Sequence, residues 1–181
     1  MKTAVVVVDM INDFVTGVFK SERAVKIIPN VKRLLDFARR EKISIIYASD
    51  AHLPNVDKEF GVWPPHAVAG TWGAQVVDEL RPKKGDYTIQ KRKYSAFQGT
   101  DLDQILRELK VDTLIIVGLV TDICIQHTAA DAFFREYRII VPEDCVEASS
   151  AQIQRVAIDY LRKVYGSEIT SLNELVKKKW S

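Results

Sequence analysis

The stretch Asp112-Thr-Leu-Ile-Ile-Val-Gly-Leu-Val-Thr-Asp-Ile-Cys124 has the pattern of a strand, a sharp turn and the start of a helix. Its first part, Asp112–Val117, is an apolar run typical of a strand buried on both faces of a parallel sheet. Gly118 allows a sharp turn, and a helix from about Thr121 would direct free N–H groups toward the Cys124 sulfur. A lone cysteine is more often a small buried hydrophobe. This position nevertheless predicts a lowered thiol pKa and N–H groups able to receive an oxyanion.

The same strand–helix alternation continues along the whole chain. The predicted strands are Thr3–Asp9, Ser44–Ser49, Tyr87–Gln90, Asp112–Val117 and Tyr137–Val141, with a sixth near Glu168–Thr170. The predicted helices are Val25–Glu41, roughly Gly73–Leu80, Asp101–Leu109, Asp122–Glu136 and Ala151–Tyr165. Repeated β-α units with right-handed crossovers predict a three-layer α-β-α fold around a central, mainly parallel six-stranded sheet. We expect residues 1–181 to form a single domain, in which the long loop Asp50–Gly70 has a functional role.

Composition excludes several classes of protein. With 47% hydrophobic and 28% charged residues and a net charge of +2, the chain has no strong attraction for nucleic acid or an anionic membrane. It contains no apolar run of about 18 residues, so we expect no membrane span. The first predicted strand follows Met1-Lys2 directly, and the two cysteines do not suggest a disulfide framework. These features predict a cytoplasmic protein.

The residues that follow the predicted strands suggest a reactive site. Strands one to four lead to Asp9, Asp50, Lys91 and Cys124, respectively. Ligands of an open parallel sheet bind beyond the carboxyl ends of its strands, so we expect these four side chains to lie close together. A nucleophilic thiol needs a base for its proton and a cation to hold the resulting charge. Asp9 can provide the base and Lys91 the cation.

Other uses of an aspartate after the first strand lack their partner residues. A haloacid-dehalogenase-type phosphatase would need a second aspartate where this chain has Ile11. The sequence contains no Gly-x-x-x-x-Gly-Lys-Ser/Thr phosphate loop, no Gly-x-Gly-x-x-Gly dinucleotide motif and no Gly-x-Ser-x-Gly nucleophile elbow. The thiol of Cys124 therefore remains the best nucleophile.

The chain resembles the cysteine hydrolases of the isochorismatase-like superfamily and, within it, the nicotinamidases. The resemblance covers nearly the whole chain and rests on three blocks in the family's order: Val8–Met10 with Asn12–Phe14, Lys91–Phe97 with Gly99–Leu102, and Gly118–Cys124 continuing to Phe133. It implies the isochorismatase-like hydrolase fold and a catalytic triad of Asp9, Lys91 and Cys124. It also implies a cis Leu119–Val120 peptide bond and an oxyanion hole made by the N–H groups of Val120 and Cys124.

The long loop contains residue types that bind metals. Asp50 and His52 in Ser-Asp-Ala-His, with His66 in Trp-Pro-Pro-His, offer one carboxylate and two imidazoles, which suit zinc, iron or manganese. The arrangement resembles the metal site of nicotinamidases, in which the metal orients the ring nitrogen of the pyridine, and Glu59 resembles a further carboxylate ligand. The resemblance implies one divalent ion, with Zn²⁺ as the first expectation and Fe²⁺ or Mn²⁺ as alternatives.

Four further residues are expected to contact the substrate. Phe14 and Trp63 resemble the aromatic walls that enclose the ring in nicotinamidases, and Tyr94 and Ser95 belong to the second block of the resemblance. His127 lies three residues after Cys124, but the family pattern gives it no catalytic role, so we interpret it as a structural or subunit-contact residue.

Three hypotheses about function stay open on the sequence alone. The first is a nicotinamidase that converts nicotinamide and water to nicotinic acid and ammonia through a thioester. The second keeps the triad but uses another small amide, such as an N-carbamoyl compound, or carries out an isochorismatase-type hydrolysis. The third is a non-catalytic binding or assembly module. The resemblance also implies a homo-oligomer, either dimer or tetramer, and a small-molecule amide as the substrate. The net charge and the lack of an apolar span predict no nucleic acid or membrane partner.

Overall fold

The computed structural model describes residues 2–178 and 180, which form an α/β fold with a central sheet. The strands are β1 Thr3–Val8, β2 Ser44–Asp50, β3 Tyr87–Lys91, β4 Thr113–Leu119, β5 Arg138–Pro142, β6 Val146–Glu147 and β7 Glu168–Thr170. The α-helices are α1 Asn12–Val15, α2 Glu22–Arg40, α3 Leu102–Glu108, α4 Gln126–Phe134, α5 Ala151–Tyr165 and α6 Leu172–Leu175. All six predicted strands are therefore confirmed, with ends that differ by at most two residues.

The sheet has seven strands rather than the predicted six. Its order is β3-β2-β1-β4-β5-β7. The short strand β6 pairs with the last two residues of β4, after the residues of β4 that pair with β5. Every pair of these strands is parallel. The additional strand, β6, is only two residues long. Its sequence is too short to give a strand pattern, and its pairing with β4 depends on the tertiary fold.

Helices cover both faces of the sheet, as the three-layer prediction requires. Alternate residues of β1 point to opposite faces: Val5 and Val7 belong to one hydrophobic core, and Ala4, Val6 and Val8 to the other. The first core contains apolar residues of α2 and α6, and the second contains those of α3, α4 and α5. Burial on both faces explains why β1 is a run of valines without polar alternation.

Local capping signals set several helix ends. The Ser21 hydroxyl accepts the N–H of Ala24, so α2 begins before the predicted start at Val25. The helix α5 has the predicted bounds: Ser150 caps its first turn, and Gly166, with a left-handed φ of 60°, ends it. The predicted helix Asp122–Glu136 is instead a π-helical turn, Thr121–Ile125, followed by α4.

The predicted helix Gly73–Leu80 is wrong. This segment contains two 3-10 turns, Trp72–Ala74 and Asp78–Leu80. The chain between them pairs with the segment that follows β1: Asn12 donates its N–H to the Gln75 carbonyl at 2.9 Å, and Val77 donates to the Met10 carbonyl at 3.0 Å. These long-range hydrogen bonds replace those that a helix would make within itself.

Two short helices, α1 and α6, were not predicted, and Asp50–Gly70 is mainly irregular, with one 3-10 turn at Lys58–Gly61. Across residues 2–178 and 180, none of the helices has both the length and the apolar character that a bilayer crossing requires.

Candidate active site

Four neighbouring strands bring the predicted reactive residues to one edge of the sheet. Asp9 follows β1, Asp50 ends β2, Lys91 ends β3, and the turn after β4 carries Cys124. The order β3-β2-β1-β4 makes these strand ends adjacent. Their carboxyl ends all lie at the same edge, because the strands are parallel, and this is where ligands of such sheets bind.

Lys91 lies at the centre of this group. Its Nζ is 2.7 Å from Asp9 Oδ2, 2.7 Å from Asp50 Oδ1 and 3.6 Å from Cys124 Sγ. Asp9 also accepts the N–H of Asp50 through Oδ1 at 2.8 Å. All four residues are at most 3% exposed. The structure thus forms a buried acid–cation–thiol cluster from residues far apart in the sequence.

The expected lowering of the thiol pKa is wrong. Burial raises the pKa of Cys124 well above its ordinary value, and Lys91 offsets this only in part. Burial and the nearby Asp50 raise the pKa of Asp9 to about 7 in spite of Lys91. Burial alone would lower the pKa of Lys91, but Asp9, Cys124 and Asp50 raise it. At rest the site therefore holds a protonated thiol, and attack by sulfur requires a base to accept its proton.

The turn between β4 and Cys124 has an unusual backbone. Gly118 has a φ of 115°, and a Cβ at this position would lie 1.9 Å from the Val8 carbonyl oxygen, so only glycine fits. The Leu119–Val120 peptide bond is cis, as the resemblance implied. The π-helical turn Thr121–Ile125 follows and places Cys124 on the wall of a cavity that Val120 also lines.

The predicted metal ligands lie together beside this cluster. The potential ligand atoms of Asp50, His52, Glu59 and His66 all lie within 4.8 Å of one another. His52 Nε2 is 3.6 Å from Asp50 Oδ2 and 3.9 Å from Glu59 Oε1, and His66 Nε2 is 3.8 Å from Glu59 Oε1. Donors with such separations can surround a small cation bound at about 2.0–2.2 Å.

The electrostatics of these residues fit a cation. His52 Nε2 is buried and has no hydrogen-bond partner among the described residues. Burial lowers the pKa of His52, but Asp50 and Glu59 raise it to give a net increase. Burial, followed by the charge of Asp50, raises the pKa of Glu59. The negative charge of Asp50, which contributes to both shifts, would attract a divalent ion. Asp50 belongs both to the metal-ligand cluster and to the cluster around Lys91. Its Oδ2 faces His52, and its Oδ1 contacts Lys91 Nζ.

A second group of potential ligands, formed by Asp9, Asp50 and Cys124, also lies within 4.8 Å. The ammonium of Lys91 contacts all three side chains. This group already holds a cation, so a metal fits better between the histidines.

Sequence reasoning missed the residues that orient the histidine rings. His52 Nδ1 lies 3.3 Å from Asp57 Oδ2, and Arg92 donates two hydrogen bonds to Asp57 Oδ1, at 2.6 and 3.0 Å. These hydrogen bonds lower the pKa of Asp57 and keep it ionised. His66 Nδ1 is 2.8 Å from the Pro64 carbonyl oxygen. In both histidines Nδ1 has a partner, which leaves Nε2 to face the cluster.

A cavity of about 460 Å³ connects the thiol with the metal-ligand cluster. The predicted contact residues Phe14, Trp63 and Tyr94 line it, and the Trp63 indole donates to the Tyr94 hydroxyl at 3.1 Å. Phe19, which the sequence reasoning missed, also lines it, with its ring centroid 4.8 Å from that of His66. In the sequence, Phe19 lies five residues after Phe14, and this spacing does not indicate that both rings line one cavity.

Three further residues have the following positions. Ser95 is buried outside the cavity lining, and its hydroxyl accepts the N–H of Phe97, so substrate contact by Ser95 stays a prediction. His127 is exposed, and its Nδ1 lies 2.8 Å from the Ile123 carbonyl oxygen. Cys145 is fully buried in the first hydrophobic core.

Comparison with known sequences identifies relatives over nearly the whole chain. The Isochorismatase domain family matches residues 3–174. The isochorismatase family protein YaaI of Bacillus subtilis is 32% identical, over 97% of this chain and 97% of that protein. The ureidoacrylate amidohydrolase RutB of Agrobacterium fabrum is 31% identical, over 91% of this chain and 85% of that protein.

Solved structures include similar folds with several named activities. The N-carbamoylsarcosine amidase of Thermoplasma acidophilum is 42% identical, with a TM-score of 0.90 over 96% of this chain and 98% of that chain. The nicotinamidase PncA of Bacillus subtilis is 28% identical, with a TM-score of 0.89 over 94% and 100%. The pyrazinamidase of Pyrococcus horikoshii, solved in complex with zinc, is 29% identical, with a TM-score of 0.87 over 94% and 99%.

Proposed function

The chain belongs to the isochorismatase family of cysteine hydrolases, and we propose that it is a metal-assisted amidohydrolase converting nicotinamide and water to nicotinic acid and ammonia. The observation that carries this proposal is one cavity bounded by a buried thiol, by three members of the four-ligand cluster and by aromatic side chains. A flat ring with a nitrogen donor matches those walls, and a carboxamide on that ring would reach toward the thiol.

The reaction would begin with proton transfer from Cys124 to Asp9. Lys91, which contacts both, holds the charge of the thiolate as it forms. The sulfur attacks the carboxamide carbon, and the carbonyl oxygen becomes an oxyanion that the N–H groups of Val120 and Cys124 are proposed to receive. Asp9 returns the proton to the nitrogen as the carbon–nitrogen bond breaks, so ammonia leaves and a thioester remains.

Hydrolysis of the thioester completes the cycle. A water gives a proton to Asp9 and attacks the acyl carbon, the carbon–sulfur bond breaks, and the proton returns to the Cys124 sulfur. The product is nicotinic acid. The pKa of Asp9, about 7, allows this carboxyl both to accept and to return a proton near neutral pH.

The proposed metal ligands are Asp50, His52 and His66, with Glu59 as a further ligand, and Zn²⁺ is the first expectation. A divalent ion bound there would supply a Lewis-acid contact for the ring nitrogen. Asp57, held by Arg92, contacts His52 Nδ1 and so leaves His52 Nε2 facing the proposed ion.

The test is ammonia release from nicotinamide by protein loaded with Zn²⁺, Fe²⁺ or Mn²⁺, by the same protein after chelation, and after reloading. The proposal predicts turnover that falls on chelation and returns with one of these metals. Nicotinamide turnover that is absent under every condition would refute the nicotinamide assignment while leaving the cysteine chemistry open.

A second candidate is hydrolysis of an N-carbamoyl compound. RutB is named for a ureido acid, and the N-carbamoylsarcosine amidase is more similar in sequence than the two nicotinamide-type enzymes compared above. Lys20 is exposed, lines the cavity and makes no ion pair with any residue that the structure describes. Its ammonium could therefore bind a substrate carboxylate.

The two candidates differ in their response to Lys20→Met. If the substrate is an N-carbamoyl acid, this change should lower kcat/KM for N-carbamoylsarcosine by about tenfold, the effect of losing one charged hydrogen bond. Turnover of nicotinamide, a neutral molecule, should be unchanged. A screen of nicotinamide, pyrazinamide and N-carbamoylsarcosine with both proteins separates the two assignments.

We also propose that residues 1–181 act as a single domain, in the cytoplasm and as a homodimer or homotetramer. Both cysteines are free and buried, which suits a reducing compartment. Support for self-association comes from exposed apolar side chains on α4 and α5, including Phe134, Val156 and Val164.

A further inference from the structure

We propose that Asp13 is a positioning residue for the metal-ligand cluster. Its carboxylate binds the backbone of Ala67 and so fixes His66 and His52 relative to each other. This inference rests on the proposed function, because it assigns a role toward the metal proposed above. Asp13 is not among the residues proposed as metal ligands or as catalytic groups.

The carboxylate of Asp13 is buried, and backbone groups satisfy it. The residue belongs to α1 and is 9% exposed. Oδ2 accepts the N–H of Ala67 at 2.8 Å, and Oδ1 accepts the N–H of Val18 at 3.3 Å. It forms no salt bridge with a residue in the described part of the chain. A buried carboxylate is costly unless hydrogen bonds compensate it, so these contacts define its position.

Ala67 connects this carboxylate to both histidines. It follows His66 directly, is fully buried, and has a left-handed φ of 44°. Its N–H donates to Asp13, and its carbonyl accepts the N–H of His52 at 2.8 Å. Ala69 in turn donates to the His52 carbonyl at 2.9 Å. A displacement of Ala67 would therefore change the separation of the two imidazoles.

Two glycines leave space for the Asp13 carboxylate. A Cβ on Gly73 would lie 2.0 Å from Asp13 Oδ2, and a Cβ on Gly17 would lie 2.3 Å from Oδ1. Neither glycine has the left-handed φ that itself favours glycine. Steric space, and not backbone conformation, therefore explains glycine at both positions: at Gly73 the three nearest atoms all belong to the Asp13 carboxylate, whereas a Cβ on Gly17 would also lie 2.8 Å from the Asp13 Cα.

The chemistry also distinguishes aspartate from asparagine. Both oxygens of Asp13 accept N–H groups. An amide has one acceptor oxygen, and its NH₂ group would face one of those N–H donors. The contact with Val18 is the longer one, so an asparagine would give up that contact and keep Ala67. We expect a graded series, in which Asp13→Asn has a small effect and Asp13→Ala a large one.

The experiment measures metal affinity rather than turnover. Zn²⁺ affinity is determined by competition with a chelator, and the ligand geometry by the visible absorption of bound Co²⁺. The variants are Asp13→Ala, Asp13→Asn, Gly73→Ala and the control Gly61→Ala. Gly61 lies in the loop Asp50–Gly70, which also contains His52 and His66; it has no left-handed φ, and a Cβ added there would have no atom within 4 Å among the described residues.

We expect Gly73→Ala and Asp13→Ala to weaken Zn²⁺ binding by about 10–100-fold, as substitution of residues that orient metal ligands does. Both should change the Co²⁺ spectrum, whereas Gly61→Ala should match the wild type. Adding Gly73→Ala to Asp13→Ala should cause little further loss, because the clashing carboxylate is gone. A residue that only stabilised the fold would lower the midpoint of unfolding and leave the spectrum of the bound ion unchanged.

Wild-type affinity and spectrum in Gly73→Ala, or in folded Asp13→Ala, would overturn this inference and leave the proposed metal site intact. If Asp13→Ala does not fold, the Gly73→Ala result decides, because its carboxylate is present but displaced. Failure of the wild-type protein itself to bind Zn²⁺ or Co²⁺ would instead refute the metal site of the proposed function.

Discussion

Replacing Lys91 by methionine tests the electrostatics of the buried cluster. The substitution keeps an unbranched side chain but removes the ammonium that lies 2.7 Å from Asp9 and 2.7 Å from Asp50. All three residues are at most 2% exposed. The three groups carry a charge of −1 when both carboxyls are ionised, and the variant leaves the two buried carboxyl groups with no cation between them.

The magnitude follows from these distances. At an effective dielectric constant of about 20, each contact contributes roughly 6 kcal/mol of attraction, opposed by the cost of burying the ammonium. Removing one partner of a buried ion pair costs about 3–5 kcal/mol. This is a large part of the usual stability of about 5–15 kcal/mol. We expect Lys91→Met to lower the free energy of unfolding by about 3–5 kcal/mol.

The same substitution should suppress the chemistry. Lys91 lowers the pKa of Asp9, so its removal moves that pKa above about 7 and leaves Asp9 protonated near neutral pH. A protonated Asp9 cannot accept the thiol proton, and loss of a general base costs about 10²–10⁴-fold. The assays are urea unfolding, ammonia release, and alkylation of the thiol by iodoacetamide at pH 7.

Lys93→Met is the matched control. Lys93 is exposed and contacts the Lys91 ammonium only through its backbone carbonyl, at 3.2 Å. Its side chain can therefore change without removing that hydrogen bond. Wild-type stability and turnover in Lys91→Met would refute the role assigned to Lys91, and equal losses in both variants would show that the effect is not specific to the buried ammonium.

Three further predictions concern the metal ligands, the fold and the cavity. Asp57→Asn should weaken Zn²⁺ binding about tenfold or more, because it disturbs the contact that orients His52; unchanged affinity in a titration would contradict this. The hydrogen bonds from Arg107 and Tyr137 outweigh burial and lower the pKa of Asp103. Asp103→Asn should therefore be less stable than the wild type at pH 7, and the difference should disappear as the pH falls through the lowered pKa; a difference that grows in acid would be the opposite result. Phe19→Ala removes an aromatic wall of the cavity and should raise KM by roughly five- to tenfold, about 1–1.5 kcal/mol, with little change in kcat. An unchanged KM in steady-state kinetics would exclude contact with the substrate.

Local patterns in the sequence were sufficient for much of the fold. The valine run of β1 indicates burial on both faces, and Ser150 and Gly166 mark the ends of α5. The positions of Asp9 and Lys91 after their strands predicted that the two would meet, because parallel strands end at the same edge of a sheet.

Features that depend on contacts between distant segments were not predictable in this way. The segment around Gln75 pairs with the chain after β1 instead of forming a helix, and β6 exists only because β4 lies beside it. In the sequence, Asp57 is an ordinary loop residue, and Asp13 belongs to the first block of the resemblance with no role assigned to it. Their contacts with His52 and Ala67 appear only when the long loop folds back over the strand ends.

The thiol pKa illustrates the same limit. The position of Cys124 after a strand predicted stabilisation of the thiolate by N–H groups at the start of a helix. The structure instead buries the sulfur, and the adjacent Asp9 and Asp50 oppose ionisation, so that Lys91 offsets these effects only in part. The balance depends on burial and on three charges that come from other strands. It therefore could not be worked out from residues near Cys124 in the sequence.

The most direct test of the central claim is ammonia release by Cys124→Ala beside Cys145→Ala. Both residues are buried free cysteines, but only Cys124 contacts the Lys91 ammonium and lines the cavity. Each variant is measured with the substrate that the wild-type protein turns over, and its fold is verified by circular dichroism. Our account predicts that Cys124→Ala folds and releases no ammonia, whereas Cys145→Ala retains turnover wherever it stays folded. Undiminished release by folded Cys124→Ala would contradict it.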